Sequence, residues 1–239
     1  MNLLLFDFGE IARPLPHSDP RAAHLIRVLK RGPGDRFDAG VVGGPRGKGV
    51  VRAVSDAGVE FAFEPGALPP PPDPIHLLIA LPRPQTARKI LNEASALGVA
   101  SLRFFRGEKG EPGYSQSTLW SGDEWRRHLM DGAAQAFDTH LPEVAHFDAL
   151  AGALRAAPQG VRIALDNYES TLRLRPSGAM PPVLLAFGPE RGWSSPERAL
   201  LRDSGFRLAD LGTRVLRTET ALVAAVALVK AAPDRQAPS

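Results

Sequence analysis

Leu211-Gly212-Thr213-Arg214-Val215-Leu216-Arg217-Thr218-Glu219-Thr220-Ala221 is the stretch on which the reading of this chain turns. An apolar, strand-like run from Phe206 ends there in a glycine. Two arginines follow three residues apart, and a polar Thr-Glu-Thr opens a helix built almost wholly of Ala, Leu and Val. Glycine lets the chain turn sharply and approach a ligand closely. Thr218 is placed to cap the helix, and Glu219 sits where the helix dipole favours a negative charge. Arg214 and Arg217 beside such a turn suit a phosphate or a carboxylate. Upstream, Val183 to Phe187 is a second apolar strand. It runs into Gly188-Pro189-Glu190-Arg191-Gly192-Trp193 and a helix from Ser194 or Ser195, with Pro196 suited to its first turn. Two glycine-bearing strand exits so close in sequence predict one site built from loops at the same sheet edge. Trp193 reads as a packing residue at the helix start.

Outward from these exits the pattern alternates strand and helix. Ile75 to Leu81, Ser101 to Phe105, Val161 to Leu165, Val183 to Phe187 and Phe206 to Leu211 read as strands. Thr86 to Leu97 reads as a helix stopped by Gly98. Ser121-Gly122-Asp123-Glu124 reads as a capping box that opens a helix to about Phe137. Phe147 to Ala157, Pro196 to Ser204 and Thr218 to Ala232 complete the helices. Such alternation predicts a mostly parallel sheet covered by helices. The last helix has no polar face from Ala221 to Val229, so it must be buried.

The first 68 residues read differently. Leu3 to Phe8, Arg36 to Val42, Gly49 to Ser55 and Val59 to Glu64 are short strands, with a helix over about Arg21 to Lys30 and a hairpin-like link at Gly43 to Gly47. This spacing suggests a small barrel. Pro69-Pro70-Pro71-Pro72-Asp73-Pro74 is a stiff spacer that marks a boundary. The expected domains are 1–68 and 73–232, with a disordered tail at 233–239.

Composition bounds the function. The 239 residues suit two small domains or one large one; they are 44% hydrophobic, enough for a real core, and contain no cysteine, which excludes disulfides and thiolate chemistry. Met1 to Asp7 lacks the basic region of a signal peptide, and no apolar run approaches the roughly 20 residues that span a bilayer. A cytoplasmic protein without a membrane partner is expected. The net charge is only +3, but no acidic residue lies between Asp19 and Asp35, where Arg21, His24, Arg27, Lys30 and Arg31 fall. Arg27, Lys30 and Arg31 at helical spacing predict one basic face, suited to a phosphate backbone. A solvated helix face is the plainer reading of the same pattern. Gly47-Lys48 has Gly49 where a P-loop needs Ser or Thr, no dinucleotide glycine motif follows Ile75, and the six histidines lack metal spacing. No nucleophile elbow is present. No metal is expected.

The paired exits resemble the C-terminal signature of the bacterial 16S ribosomal RNA uridine-N3 methyltransferases, of the knotted SPOUT class. That pattern is Gly-Pro-Glu-Gly-Gly, a helix, then Leu-Gly-x-Arg-x-Leu-Arg-Thr-Glu-Thr-Ala. The second motif matches from Leu211 to Ala221, and the first matches at Gly188, Pro189, Glu190 and Gly192, with Arg191 in place of a glycine. His24 to Leu29 with Gly34-Asp35 resembles the family's N-terminal RNA-binding segment. Ala87-Arg88-Lys89-Ile90-Leu91 with Ala94 to Val99 resembles its first helix and turn. The resemblance implies a small N-terminal PUA-like β-barrel plus a C-terminal α/β SPOUT domain with a trefoil knot, and a homodimer through the C-terminal domain. It implies S-adenosylmethionine (SAM) held by Phe187, Gly188, Pro189, Glu190, Gly192, Leu211, Gly212, Leu216, Thr218, Thr220 and Ala221. RNA contacts are expected from Arg21, His24, Arg27, Lys30, Arg31, Arg88 and Lys89, with 16S ribosomal RNA or the small ribosomal subunit as partner. Arg217, then Arg214, is expected to stabilise an anionic uracil. Glu190 is placed either to accept the imide proton or to hold an arginine. Two departures concern RNA-facing loops: Arg106-Gly107-Glu108-Lys109-Gly110-Glu111 after Phe105, and Ala136-Phe137-Asp138 after Gln135. They leave open a knotted enzyme with another RNA site, and a non-catalytic RNA-binding module.

Overall fold

A computed structural model describes residues 3–176 and 182–231. The expected tail at 233–239 lies outside the described residues. Two compact units result: Met1–Pro71 with Met130–Leu141, and Pro72–Leu129 with Pro142–Ser239. The division falls inside the proline run. Residues 130–141, which the sequence boundaries assign to 73–232, pack with the first unit.

In that unit β1 (Leu4–Phe6) pairs parallel with β2 (Arg36–Val41), and β3 (Arg46–Ser55) and β4 (Gly58–Pro65) follow antiparallel, giving the order β1-β2-β3-β4. Side chains alternate across a strand. Leu4 and Phe6 therefore enter one cluster with Leu25, Phe37 and Val59, while Leu3 and Leu5 enter another with Ala133, Met130 and Phe137. Covering both faces explains why β1 is apolar throughout.

The predicted helix over Arg21 to Lys30 is not one regular helix. A short α1 (Pro20–Ala23) starts at Asp19, whose carboxylate accepts from the Arg21 N–H, and continues as a π-helical turn over His24–Val28. The Leu29 N–H reaches back five residues to His24 O at 2.9 Å, and Lys30 has φ +52°. Wider turns and a left-handed residue abolish the i, i+3, i+4 register. Arg27, Lys30 and Arg31 therefore share no helical face.

The second unit begins with β5 (Asp73–Ala80), α2 (Pro84–Ala96) and β6 (Val99–Phe105). A 3-10 turn over Pro112–Gln116, α3 (Thr118–Ser121) and the start of α4 (Glu124–Gln135) follow. Then come β7 (Glu143–Phe147), α5 (Leu150–Arg155), β8 (Val161–Leu165), β9 (Leu172–Arg173), β10 (Val183–Phe187), α6 (Ser195–Asp203), β11 (Arg207–Asp210) and α7 (Thr218–Lys230). The sheet is parallel, in the order β7-β6-β5-β10-β8-β11-β9. β10 is buried at every residue between β5 and β8. The sequence reading names neither edge strand, β7 or β9. Edge strands bury one side at most, so they carry little apolar signal; here no residue of either is fully buried.

Three local expectations change. Ser121 does not open α4: it ends α3, where its hydroxyl donates to Thr118 O at 3.3 Å. Phe147 ends a strand, so α5 begins only at Leu150. Arg217, not Thr218, is the N-cap of α7, and it makes no side-chain cap bond. The capping box lies instead at Ser194 and Glu197, at the start of α6. The last helix is buried along one stripe only, through Leu222, Ala225, Val226 and Val229, while Ala227 is exposed.

Candidate active site

The exits of β8, β10 and β11 converge at the carboxyl edge of the sheet, where ligands bind in open α/β folds. From β10 the chain enters a tight turn in which the Gly192 N–H donates to Pro189 O at 2.8 Å. Gly192 has φ +73°, and a Cβ there would lie 3.1 Å from the Tyr168 ring. A Cβ on Gly188 would lie 3.0 Å from the Trp193 ring. Gly192 is favoured by its left-handed backbone and by tight space, and Gly188 by space alone. Trp193 is 1% exposed, donates its indole N–H to Leu165 O at 2.9 Å, and stacks on Phe105 with ring centroids 6.0 Å apart. It is the packing residue that the sequence suggests.

The β8 exit is fixed by a buried ion pair. Arg198 of α6 grips both carboxylate oxygens of Asp166, and the second contact is 3.3 Å long. Both residues are nearly inaccessible to solvent. The hydrogen bond that it donates to Asp166 holds the Arg198 guanidinium above its ordinary pKa. Asp166 Oδ1 also accepts the Tyr168 N–H at 2.8 Å, which turns the chain. From β11, Asp210 accepts the Gly212 N–H at 2.8 Å, Arg173 Nε at 3.0 Å and the Ser170 hydroxyl at 3.2 Å. Arg173 above all, then the Gly212 N–H, lowers the Asp210 pKa.

Between the three exits lies an open cleft of about 690 Å³, of the size that takes small ligands. Phe187, Gly188, Pro189, Glu190, Gly192, Leu211, Leu216, Thr218 and Ala221 line it; Gly212 and Thr220 do not. The rest of the lining was not among the candidates: Leu165, Asp166, Asn167 and Tyr168 from β8, with Trp193 and Val215. An acidic residue just past a strand is a turn signal. Only sheet order, however, places β8 beside β10 and β11.

A second cavity of about 540 Å³ shares Glu190 and Thr218 with the first and adds Arg83, Gln85, Thr86, Lys89, Arg217 and Glu219. Arg217 and Glu190 thus both line this second cavity, whereas Arg214 is exposed and lines neither. The arginine that pairs with Glu190 is Arg83, at 3.7 Å. Lys89 pairs with Glu219 at 3.2 Å, and Arg88 pairs with Glu124. Burial opposes ionisation of Glu219, but backbone N–H and Lys89 hold its carboxyl below the usual range.

In the first unit the basic residues divide. Arg21 is committed: it bonds Glu10 at 2.9 Å, Asp19 at 2.7 Å and Leu5 O at 2.9 Å, and lies over the Phe6 ring. Against its burial, those carboxylates hold its pKa above the ordinary value. Arg27 and Lys30 are exposed, while His24 and Arg31 are half-buried. Among the described residues there is no group of three His, Asp or Glu placed to hold a metal, and no helix long and apolar enough to cross a membrane.

The profile of the RNA methyltransferase domain family matches residues 69–230. Ribosomal RNA small subunit methyltransferase E of Treponema pallidum is 34% identical, over 97% of this chain and 91% of its own length. The homologue of Borreliella burgdorferi with that name, numbered 1, is 28% identical, over 94% and 95%. A crystal structure of ribosomal RNA small subunit methyltransferase E from Neisseria gonorrhoeae, bound to S-adenosyl methionine, superposes with a TM-score of 0.74 at 21% identity, over 94% and 95% of the chains.

Proposed function

The chain belongs to the RNA methyltransferase family, in the branch of ribosomal RNA small subunit methyltransferase E, and from that premise we propose that it transfers the methyl group of SAM to N3 of a uridine in 16S ribosomal RNA. The observation that carries this reading is the cleft. It gathers every residue expected to hold the cofactor except Gly212 and Thr220.

The residues present suit that cofactor. Phe187, Leu211 and Leu216 offer apolar surface, and the bare backbone at Gly188 and Gly192 offers hydrogen bonds at close approach. When bound, SAM supplies an electrophilic methyl group. The protein's tasks are to position the uracil, to take up its imide proton and to stabilise the charge left on O2 and O4. Orientation contributes several kcal/mol to such a transfer. Arg217, in the second cavity, is the donor for the developing anion. Glu190 lines the same cavity and accepts the N3 proton, with Arg83 orienting it. Arg214 recedes, because it lines neither cavity.

The finer architecture belongs to the same proposal. The first unit closes as a PUA-like barrel over 1–68 and binds RNA through Arg27 and Lys30. The second, over 73–232, is a SPOUT domain knotted around the exits of β10 and β11. The uncovered face of α7 pairs with a second copy in a homodimer; that this helix is apolar yet buried along only one stripe supports the pairing. The enzyme works in the cytoplasm on the RNA or the small subunit.

Calorimetric titration with SAM tests the reading. Micromolar binding is expected. No heat at millimolar SAM overturns it and leaves an RNA-binding module without catalysis.

A further inference from the structure

A cavity of about 900 Å³, larger than the cofactor cleft, lies at the exits of β5, β6 and β7. Its walls are mainly ring systems: Phe104, Phe105, Trp120, Trp125, His146 and Phe147. Trp120 stands edge-on to His146 with ring centroids 4.5 Å apart, and His146 stacks on Phe104 at 5.5 Å. Three further features point to a ligand. The indole N–H of Trp120 is buried and has no hydrogen-bond partner, a state that folded proteins avoid. At the rim, Arg106 is exposed and only loosely paired, 4.0 Å from an Asp148 side chain that is itself almost wholly exposed. The cavity also shares a wall with the cofactor cleft, because Phe105 lines the first and stacks on Trp193 of the second.

The loop after β6 strengthens that link. A Cβ on Gly107 would lie 3.3 Å from the Pro189 ring, the Glu108 N–H donates to Glu197 at 3.0 Å, and Lys109 Nζ donates to Trp193 O at 2.9 Å. The loop that carries Arg106 is therefore tied to Pro189 and Trp193 of the cleft wall and to the capping box of α6.

Stacked rings with a cation at the rim are how proteins hold single-stranded nucleic acid: each base has a π face, and the guanidinium takes the phosphate beside it. We propose that this aromatic cavity receives one unpaired nucleobase of the RNA substrate, a near neighbour in the strand of the nucleotide that is methylated. The inference rests on the reading of the chain as an RNA methyltransferase. The base lies against the accessible rings of Trp125, His146 and Phe147, and Arg106 takes the adjoining phosphate.

Two probes test this: a mixed-sequence single-stranded RNA hexamer, and a ribose-phosphate strand of the same length without bases. Trp125→Ala should weaken hexamer binding about tenfold, the scale of one lost stack. It should leave binding of the abasic strand and the affinity for SAM unchanged, and Trp125→Phe should restore most of the loss. Arg106→Ala should lower the slope of affinity against salt by about one for both strands. Equal losses on the two strands, or no loss on the hexamer, overturn the cavity as a base site. A wild-type protein that binds neither SAM nor RNA overturns the function and the inference together. One that binds both while Trp125→Ala changes nothing overturns the inference alone.

Discussion

The turn after β10 and the segment after α1 carry equally plain local patterns, yet only one of them survives folding as written. Gly188 to Trp193 sits at the end of a central strand buried at every residue, and β5 and β8 hold its start in place. Its shape follows from the residues themselves: a φ of +73° at Gly192, and a Trp ring against Gly188. The basic run from Arg21 to Arg31 lies at the surface of a four-stranded unit, where local spacing has less to enforce it. There the chain takes a π turn and a left-handed Lys30, and Arg21 is drawn into a cage of carboxylates. Spacing predicts geometry where burial over-determines the backbone, and predicts composition alone where it does not.

The largest effect should come from the support beneath the cleft. Asp166→Ala leaves the buried Arg198 guanidinium with only the looser contact to Glu169, 3.5 Å away, which costs about 3 kcal/mol, the lower end of the range for a broken buried pair. Urea unfolding should show that loss in the second unit. A midpoint within error of the wild type would mean that the β8 exit does not depend on the ion pair.

Next in size is Arg217→Ala, which should lower single-turnover methylation by about two orders of magnitude, the scale of one anion-stabilising donor. SAM affinity should change far less, since Arg217 lines the second cavity and not the first. Arg217→Lys should rescue only partly, because a point charge lacks the guanidinium fork. Arg214→Ala should cost much less. If the two alanine variants are equally slow, the geometric separation of these arginines has no catalytic meaning.

The surface segment should respond through affinity rather than stability. Reversing Arg27 and Lys30 to Glu should weaken RNA binding and flatten its salt slope by about two, one per phosphate contact. SAM affinity should stay constant. Arg21→Ala should instead destabilise the first unit, because Glu10 and Asp19 lose the cation between them. Unchanged salt dependence in the double reversal would remove this segment from the RNA path.

The smallest effect concerns pH. Arg173 and the Gly212 N–H hold the Asp210 carboxyl below its usual 3.8. A lowered pKa means that the stabilisation is present above 3.8 and is lost only as pH falls through the lower folded value. SAM affinity should therefore show no step from Asp210 between pH 8 and 5. A step in that interval that vanishes in Asp210→Asn would show the anchor to be weaker than its three hydrogen bonds imply.

Much of the site is legible in the sequence. The strands that end at Phe187 and near Leu211 and the glycine turns beyond them follow from apolar runs punctuated by glycine, while the residues that line the cleft from both follow from the family resemblance. Gly212 is explained by its backbone: a φ of +123° suits glycine, and the space around it is open. The contribution of β8 was hidden, because Asp166 to Tyr168 reach the cleft only once β10 is inserted between β5 and β8. The aromatic cavity was hidden for the same reason, since its walls come from residues 81 to 148 and no short window contains them.

By itself the sequence determined the alternation of strands and helices, the break at the proline run, and the glycine-bearing exits, because propensity, turn chemistry and burial periodicity are local. Tertiary structure alone decided the order of strands in the sheet and the pairing of Asp166 with Arg198. It also decided that Arg217, and not Arg214, shares a cavity with Glu190. Those outcomes depend on contacts between segments distant in sequence, where packing of the whole sheet, and not the preference of any one stretch, sets the free energy.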